Sequence, residues 1–362
     1  MLPDKSTVDN PHSQISELHF HLYENGNVGM CNVLMSVELA LTIGYLTGRT
    51  TTAYAQLPLY NSTNNFFIDD LFDIDDITIV REPITIAETN LPDSLQETCI
   101  TNGRIPSQAF LCGRSKIIDL RDFNDVKILQ TADHKTLGFY SYLFCLSGSE
   151  QYRVHNYLQR SIRPKKKYAD LAQKVVSDLH REFKKFNSIT VRRGDYLRVG
   201  GTRGALITTT HYLDVLLANL PTDEVLLIHS DEEDEAYFLD IKRRYAKVVF
   251  IDTHLSQLFE DKAELGLVSM LIASYSNNFI GTMYSTFSEM IRRCRMQNGL
   301  TEQFIYLYSH SDEVPLRNGQ MVEETPGENR WNRITMPREM LPMNFWWREW
   351  FEMPDALATS DH

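Results

Sequence analysis

The most informative stretch for the fold is residues 277–299, which read "NNFIGTMYSTFSEMIRRCRMQNG". The apolar run at the start predicts a strand, the polar turn after it a loop, and the rest repeats apolar side chains at helical spacing. Thr286 and Glu289 have the spacing of a capping box, and Gly299 is a typical helix end, so the helix is predicted between them.

The same strand and helix alternation runs through the second half of the chain. Strand-like runs "SITV", "VLLIHS" and "KVVFIDT" are interspersed with a helical stretch after Thr208 and the helical patterns "EEDEAYFLDIKRRY" and "AELGLVSMLIASYS". This alternation predicts a parallel sheet in an α/β fold. Ligands bind such sheets at the carboxyl ends of the strands. The polar residues at those ends are predicted to share one crevice: Arg192, Arg193, Asp195, Ser230, Asp231, Thr282, Ser285 and Thr286.

The composition of this crevice favours an anion. The helix that begins near Thr286 presents free N–H groups and a positive dipole end, and the hydroxyls of Ser285 and Thr286 add donors. Arg192 and Arg193 can each meet phosphate oxygens with two hydrogen bonds. Together they predict a diphosphate site. The structural alternative is a simple helix cap and a surface ion pair between Arg193 and Asp195, worth about 0–1 kcal/mol.

The N-terminal part contains one more strand, loop and helix unit. "ELHFHLY" alternates like a strand, and "CNVLMSVELALTIGYLTG" is a long apolar helix closed by Gly48. The unit lacks G-x-G-x-x-G, which argues against a nicotinamide dinucleotide site. From Arg163, a basic and then amphipathic stretch predicts a linker and the first helix of a second domain.

Length and composition exclude several classes of protein. A chain of 362 residues predicts two domains, and a net charge of -12 argues against binding to nucleic acid or an anionic membrane. Five scattered cysteines without a C-x-x-C pair indicate neither a zinc site nor a disulfide framework. We see no signal peptide and no run of 18 apolar residues. We therefore expect a soluble, cytoplasmic protein without a transmembrane segment, or a secretory-pathway protein whose anchor has been removed.

Two short patterns raise the possibility of a metal. His19 and His21 share one face of the predicted strand, where we favour packing or substrate contact over a metal because a third ligand is missing. Asp73 and Asp75 form a D-x-D, which many sugar-nucleotide transferases use for a divalent ion. The alternative, a solvated acidic loop, is the favoured one.

Three segments, in order along the chain, resemble one family. "VGMCNVLMSVELALTIGYLTGRT" is similar to a G-G-x-N-N-x-R-M-x-x-E helix with a T-G-R-T end, and "TVRRGDY" to an H-x-R-R-G-D segment. "FIGTMYSTFSEMIRRCR" resembles F-x-G-T-x-x-S-T-F-x-x-x-I-x-R-x-R. These are segments of the GDP-fucose protein O-fucosyltransferase family. The resemblance implies a GT-B architecture, with two Rossmann-like domains across a cleft.

The domain boundaries follow from this architecture. We expect an acceptor-side domain over 1–165, a GDP-sugar-binding domain over 166–335 and an aromatic tail over 336–362 that packs across both. The resemblance also implies an inverting reaction with GDP-fucose as donor, no required cofactor and no obligatory metal.

The resemblance assigns roles to individual residues. Arg192 matches the arginine that contacts the donor diphosphate and assists departure of GDP, while Ser285 and Thr286 match hydroxyls at the β-phosphate. Asn32 matches an asparagine near the fucose and the acceptor. Ser230 and Asp231 lie near a strand-end nucleotide contact. For the base that deprotonates the acceptor we select Glu24, with Asp195 as an orienter of the arginines.

Three positions depart from the family pattern. Thr190 stands where many members have histidine, Cys31 takes the place of the first loop asparagine, and Leu34 replaces the loop arginine. We predict a fucosyltransferase acting on a hydroxyl of a protein or a glycan. The alternatives are transfer from another GDP-sugar, a nucleotide-sugar-binding protein without catalysis, and a metal-dependent transferase using Asp73 and Asp75.

Overall fold

The structure is a computed structural model of the chain. It describes residues 16–22, 29–60, 62–81, 128–130, 148–193, 217, 220–232, 234–282, 285–300, 304–307, 316–317 and 320–321.

The helices and strands of the chain fall into two parts. Those of the first part are β1 (Glu17–His21), α1 (Met30–Thr47), β2 (Thr50–Tyr54), α2 (Ile68–Leu71), β3 (Phe72–Ile74), β4 (Ile77–Val80), β5 (Ile128–Gln130), α3 (Gly148–Ser161) and β6 (Ile162–Pro164). Those of the second part are α4 (Lys166–Phe183), β7 (Phe186–Val191), β8 (Val225–Ser230), a 3₁₀ turn (Glu235–Phe238), α5 (Leu239–Arg244), β9 (Lys247–Phe250), α6 (Ile251–Leu255), α7 (Lys262–Ser274), β10 (Phe279–Thr282), α8 (Thr286–Gln297), β11 (Phe304–Leu307), β12 (Leu316–Arg317) and β13 (Gln320–Met321).

Two parallel sheets form the framework. The first has the strand order β4-β2-β1-β5, and the second has the order β11-β10-β7-β8-β9. All neighbouring strands in both sheets are parallel. The predicted α/β class with a parallel sheet is therefore confirmed.

Strand β7 lies at the centre of the second sheet, and all six of its residues are buried. Such a strand reads as a continuous buried run because helices cover both faces of a parallel sheet. One face of this sheet joins the large core that also contains α1, α4, α7 and α8. The other face carries Ile189, Val191, Leu226 and Ile228 into a smaller core with the 3₁₀ turn and α5.

The predicted strand "KVVFIDT" is too long. Strand β9 ends at Phe250, and α6 begins at Ile251. The reason is Asp252, whose carboxylate accepts the N–H of Ser230 at 3.0 Å and the hydroxyl of Ser269 at 2.5 Å. Two partners on β8 and α7 hold this carboxylate at the end of the strand, so the chain turns there.

Helix α1 spans Met30–Thr47 and ends at Gly48, which has a φ of 64° and donates its N–H to the carbonyl of Gly44. The left-handed conformation explains why glycine stands at this helix end, as predicted. Among the described residues, α1 is the one helix long and apolar enough to cross a membrane by length and composition, and 78% of that stretch is buried inside the protein.

A buried carboxylate connects the first part of the chain to α7. Asp261 caps α7 by accepting the N–H of Ala263 at 2.8 Å. Its second oxygen accepts the hydroxyl of Ser62 at 2.7 Å and the N–H of Asn64 at 3.0 Å. Burial by itself raises the pKa of Asp261, but the hydrogen bonds from Asn64, Ser62 and Ala263 outweigh it and hold the pKa below its usual range.

We expect Asp261→Asn to lower the free energy of unfolding at neutral pH by about 2–3 kcal/mol, because the variant loses charge-assisted hydrogen bonds and a strong helix cap. A lowered pKa in the folded state means that the carboxylate stabilises the fold fully above about pH 4 and loses this effect as the pH falls through the folded pKa. Urea unfolding at neutral and acid pH measures both.

The control for this prediction is Asp170→Asn. Asp170 is exposed and pairs with Lys166 in the first turn of α4, so its removal changes stability by less than about 1 kcal/mol. An Asp261→Asn protein with the same acid sensitivity as the unsubstituted protein contradicts the assignment.

Candidate active site

The candidate site lies at the carboxyl ends of β7 and β8. The register pairs Val191 with Ser230, so the two strands end side by side. Ser230 fixes this edge, since its hydroxyl donates to the carbonyl of Val191 at 2.9 Å and accepts the N–H of Glu232 at 2.9 Å. Arg192 is the first residue beyond the edge and is half-buried.

The second arginine of the turn is held by protein groups. The guanidinium of Arg193 lies 4.0 Å from the ring centroid of Tyr237, and its Nε is 3.1 Å from a carboxylate oxygen of Glu232. The backbone N–H of Arg193 donates to Asp231 at 2.7 Å. Arg193 and Asp231 therefore shape the turn, and among the described residues Arg193 forms an ion pair with Glu232.

The start of α8 is capped by a serine. The hydroxyl of Ser285 accepts the N–H of Ser288 at 3.4 Å, and Thr286 is the first helical residue. The cap thus lies one residue before the predicted Thr286. Both hydroxyl residues are buried. The N–H groups of Thr286 and Phe287 have no carbonyl partner within a helix that begins here, and they provide donors at its positive end.

Close packing fixes α8 against the sheet. The hydroxyls of Thr190 on β7 and Ser288 in the first turn of α8 are 2.7 Å apart. A Cβ atom at Gly281 on β10 would lie 2.9 Å from the Cβ of Ser288, so the close approach of strand and helix requires glycine there. The first turn of α8 is consequently fixed beside the carboxyl end of β7.

The start of α1 lies within electrostatic range of Arg192. Burial raises the pKa of Cys31 to about 12, and the positive charge of Arg192 acts in the opposite direction. Asn32 follows in the first turn of α1, and its side-chain oxygen is buried without a hydrogen-bond partner among the described residues. The structure therefore brings Asn32, Arg192 and the start of α8 into one region.

A buried ion pair joins the two motif helices and was missed from the sequence. Glu38 of α1 and Arg293 of α8 form a salt bridge, and the side chain of Arg293 is 3% exposed. The two residues match the glutamate of the first family pattern and the first arginine of the third. Their places in these patterns were the sequence feature from which the ion pair could have been predicted. The pair borders a cavity of about 210 Å³ between the helices of the two parts.

Several predicted site residues lie outside the described part or lack a described side chain. Glu24, the selected base, and Asp195, the selected orienter, are outside it. The helical stretch that follows Thr208 is also outside it except for Leu217, and so is the aromatic tail over 336–362. The backbone of Thr282 ends β10.

The two patterns that raised the possibility of a metal have protein partners. Asp75 accepts a hydrogen bond from Arg163 at 2.8 Å on the surface. His19 lies between the hydroxyl of Tyr54, at 2.7 Å, and the carboxylate of Glu17, at 3.0 Å. Within the described ranges, no group of three or more His, Cys, Asp or Glu side chains is arranged to hold a metal ion.

Comparison with known proteins gives structural neighbours only. No family model matches the chain. No curated protein matches it either. Solved structures that resemble it include NodZ α-1,6-fucosyltransferase from Bradyrhizobium soaked with GDP-fucose, with a TM-score of 0.44 and 12% identity over 77% of this chain and 92% of that one.

Two further neighbours have similar statistics. A mutant of Arabidopsis thaliana FUT1 in complex with GDP has a TM-score of 0.46 and 14% identity over 84% of this chain and 73% of that one. POFUT1 in complex with GDP-fucose has a TM-score of 0.44 and 12% identity over 82% of this chain and 98% of that one. These structural neighbours are fucosyltransferases.

Proposed function

We propose that the chain is an inverting glycosyltransferase that transfers fucose from GDP-fucose to a hydroxyl group on a protein or a glycan, without a bound metal. The observation that carries the proposal is that Arg192 follows β7, the strand whose Thr190 contacts the first turn of α8, and that its charge acts on Cys31 at the start of α1. These two helices contain the other two family motifs. A cation, a hydroxyl-rich helix start and a buried amide in one crevice suit a sugar diphosphate.

Arg192 and the start of α8 act on the leaving group. Fucose transfer builds positive character on the sugar and negative charge on the departing diphosphate. Donors placed at the β-phosphate stabilise that charge as it develops, which accelerates the chemical step. We assign Arg192 to the diphosphate oxygens, with the hydroxyls of Ser285 and Thr286 and the first N–H groups of α8 around the β-phosphate.

The other proposed contacts have separate tasks. Asn32 is assigned to the fucose and acceptor side, with Glu24 as the base that takes the acceptor proton and Asp195 as orienter of the arginine turn. Ser230 and Asp231 hold the nucleotide side of the crevice, where Thr282 ends β10. Arg193 acts indirectly, through Tyr237 and Glu232, by fixing the turn that presents Arg192.

The proposed architecture is GT-B. We divide the chain into an acceptor-side domain over 1–165, a donor-side domain over 166–335 and a tail over 336–362. The separate parallel sheets support this division, because all strands of the first lie before residue 131 and all strands of the second lie after residue 185. The donor then binds between the carboxyl edge of the second sheet and the start of α1.

A metal-dependent reaction through Asp73 and Asp75 is the rival with a specific prediction. It requires loss of activity in a chelator and in Asp75→Asn. The ion pair between Asp75 and Arg163 favours a structural role for this carboxylate. A second rival, donor binding without transfer, is motivated by the departures at Cys31, Leu34 and Thr190.

We expect GDP-fucose and GDP to bind the purified protein in EDTA at one molecule per chain, whereas UDP-glucose does not bind. Isothermal titration calorimetry measures this, with GDP-mannose included to test the sugar. The reason is that the crevice offers donors for a diphosphate, and the family motifs belong to GDP-sugar enzymes.

The alternatives give different results. Equal binding of GDP-mannose and GDP-fucose supports another GDP-sugar. Binding of GDP-fucose without release of GDP when acceptors for fucose are added supports a nucleotide-sugar-binding protein without catalysis. Absence of binding to every nucleotide contradicts the proposed function.

A further inference from the structure

We propose that His229 contacts the donor, with its imidazole hydrogen-bonded to a hydroxyl group of the nucleotide sugar. The inference rests on the proposed function, since it adds a contact to the same site. His229 lies in β8 one residue before Ser230, which ends the strand. None of the sequence motifs includes it.

His229 is a buried polar residue without a protein partner. His229 is 3% exposed. Neither of its ring nitrogens has a hydrogen-bond partner within the part of the chain that the structure describes. Buried polar side-chain atoms are nearly always hydrogen-bonded, so an imidazole with two unpaired nitrogens requires an explanation. A bound ligand supplies one when the ring lies at a ligand site.

The strand register places His229 on the face of the sheet that packs against the start of α8. Thr190 and His229 are paired neighbours on parallel strands, so their side chains lie on the same face of the sheet, with the strands about 4.8 Å apart. The hydroxyl of Thr190 meets Ser288 in the first turn of α8 on that face. His229 is therefore beside the strand position that contacts the start of α8, near the edge where Arg192 follows β7.

The two paired residues, Thr190 and His229, differ in the polar group that each contributes to this face of the sheet. Position 190 is a threonine, and its hydroxyl lies 2.7 Å from that of Ser288 in the protein interior. The neighbouring strand supplies a histidine at the paired position. The imidazole thus lies one strand away from the position at which this chain departs from the H-x-R pattern.

The charge state of His229 selects the kind of group it binds. Burial lowers the pKa of His229 to about 3, so the ring is neutral at physiological pH. A neutral imidazole has one N–H donor and one acceptor nitrogen. A hydroxyl group both donates and accepts and therefore matches it, whereas a phosphate oxygen only accepts. The ribose of the nucleotide and the transferred sugar both carry such hydroxyls.

The test compares His229→Leu with the unsubstituted protein by calorimetry with GDP and with GDP-fucose. We expect affinity to fall about tenfold, as for loss of a ligand hydrogen bond. The midpoint of urea unfolding stays equal or rises, because an apolar side chain replaces an unpaired polar one. An equal loss of affinity for both ligands places the contact at the ribose, which both contain. A loss of affinity confined to GDP-fucose places the contact at the fucose.

Two further variants complete the design. His229→Gln keeps a hydrogen-bond donor and an acceptor and is expected to retain most of the affinity for the donor. This variant tests the proposal even when the His229→Leu protein does not fold. Ser188→Ala removes another unpaired buried polar atom from the same face of β7, two residues further from the strand end, and leaves affinity unchanged.

The outcomes separate the inference from the proposed function. Unchanged affinity in His229→Leu, with the unsubstituted protein binding GDP, overturns the inference alone. A His229→Gln protein as weak as His229→Leu, or a loss of affinity in Ser188→Ala of equal size, also overturns it. Absence of nucleotide binding in the unsubstituted protein overturns the proposed function and the inference with it.

Discussion

Replacing Arg192 with alanine is expected to lower the rate of fucose transfer by about 10²–10³-fold, the usual cost of removing a donor that stabilises charge in the transition state. Arg192 is half-buried at the end of β7, and its charge reaches the start of α1. Because the leaving diphosphate gains charge during the reaction, kcat falls more than KM rises. The measurement is GDP release at saturating GDP-fucose, together with the affinity for GDP.

The companion variants identify which property of Arg192 matters. Arg192→Lys keeps the positive charge but loses the planar fork, so it recovers only part of the rate. Arg181→Ala is the control, since Arg181 is 79% exposed on α4 and pairs with Asp178. A rate within about threefold of the unsubstituted enzyme in Arg192→Ala, against the expected loss, removes this residue from the mechanism.

Replacing Arg293 with methionine is expected to lower the free energy of unfolding by about 3–5 kcal/mol, because it leaves the Glu38 carboxylate buried without its partner. The two side chains are 3% and 10% exposed. The double variant Glu38→Leu, Arg293→Met is expected to recover most of the loss, since a pair of apolar side chains of similar volume avoids the desolvation of both charges. Urea unfolding of the two single variants and the double variant gives the coupling energy.

The exposed pair of Lys166 and Asp170 provides the comparison. Its side chains are 85% and 62% exposed, and the same cycle is expected to give less than about 1 kcal/mol. Additive losses in the Glu38 and Arg293 cycle contradict the interpretation. The pair matters for the site because it joins α1 to α8, whose first turns contain Asn32 and Thr286.

The elements with strong local signals were predicted well. The helix ending at Gly48, the strand "VLLIHS" and the helix that begins at Thr286 have nearly the expected bounds. Glycine at a left-handed helix end and apolar periodicity are properties of a few neighbouring residues, so they can be read without knowing the fold. The parallel sheet of the second part followed from the alternation of these elements.

The candidate site was predicted in outline, since the carboxyl ends of parallel strands meet at one edge of a sheet. Its interior was not. Both Arg192 and Arg193 were predicted to contact phosphate oxygens, yet the guanidinium of Arg193 lies against Tyr237 and Glu232. The link from Ser62 to Asp261 spans 199 residues, and the ion pair from Glu38 to Arg293 spans 255.

The fold class, the helix ends and the three segments that resemble those of GDP-sugar enzymes could be predicted from the amino-acid sequence alone. Each depends on side chains close together along the chain, where spacing and turn chemistry act locally. The three-dimensional structure was needed to show which polar side chains are hydrogen-bonded to other protein groups. Thr190 meets Ser288, whereas its strand neighbour His229 meets no described polar atom. The physical reason is that a hydrogen bond depends on the distance and direction between two groups in space. The number of residues between them along the chain determines neither.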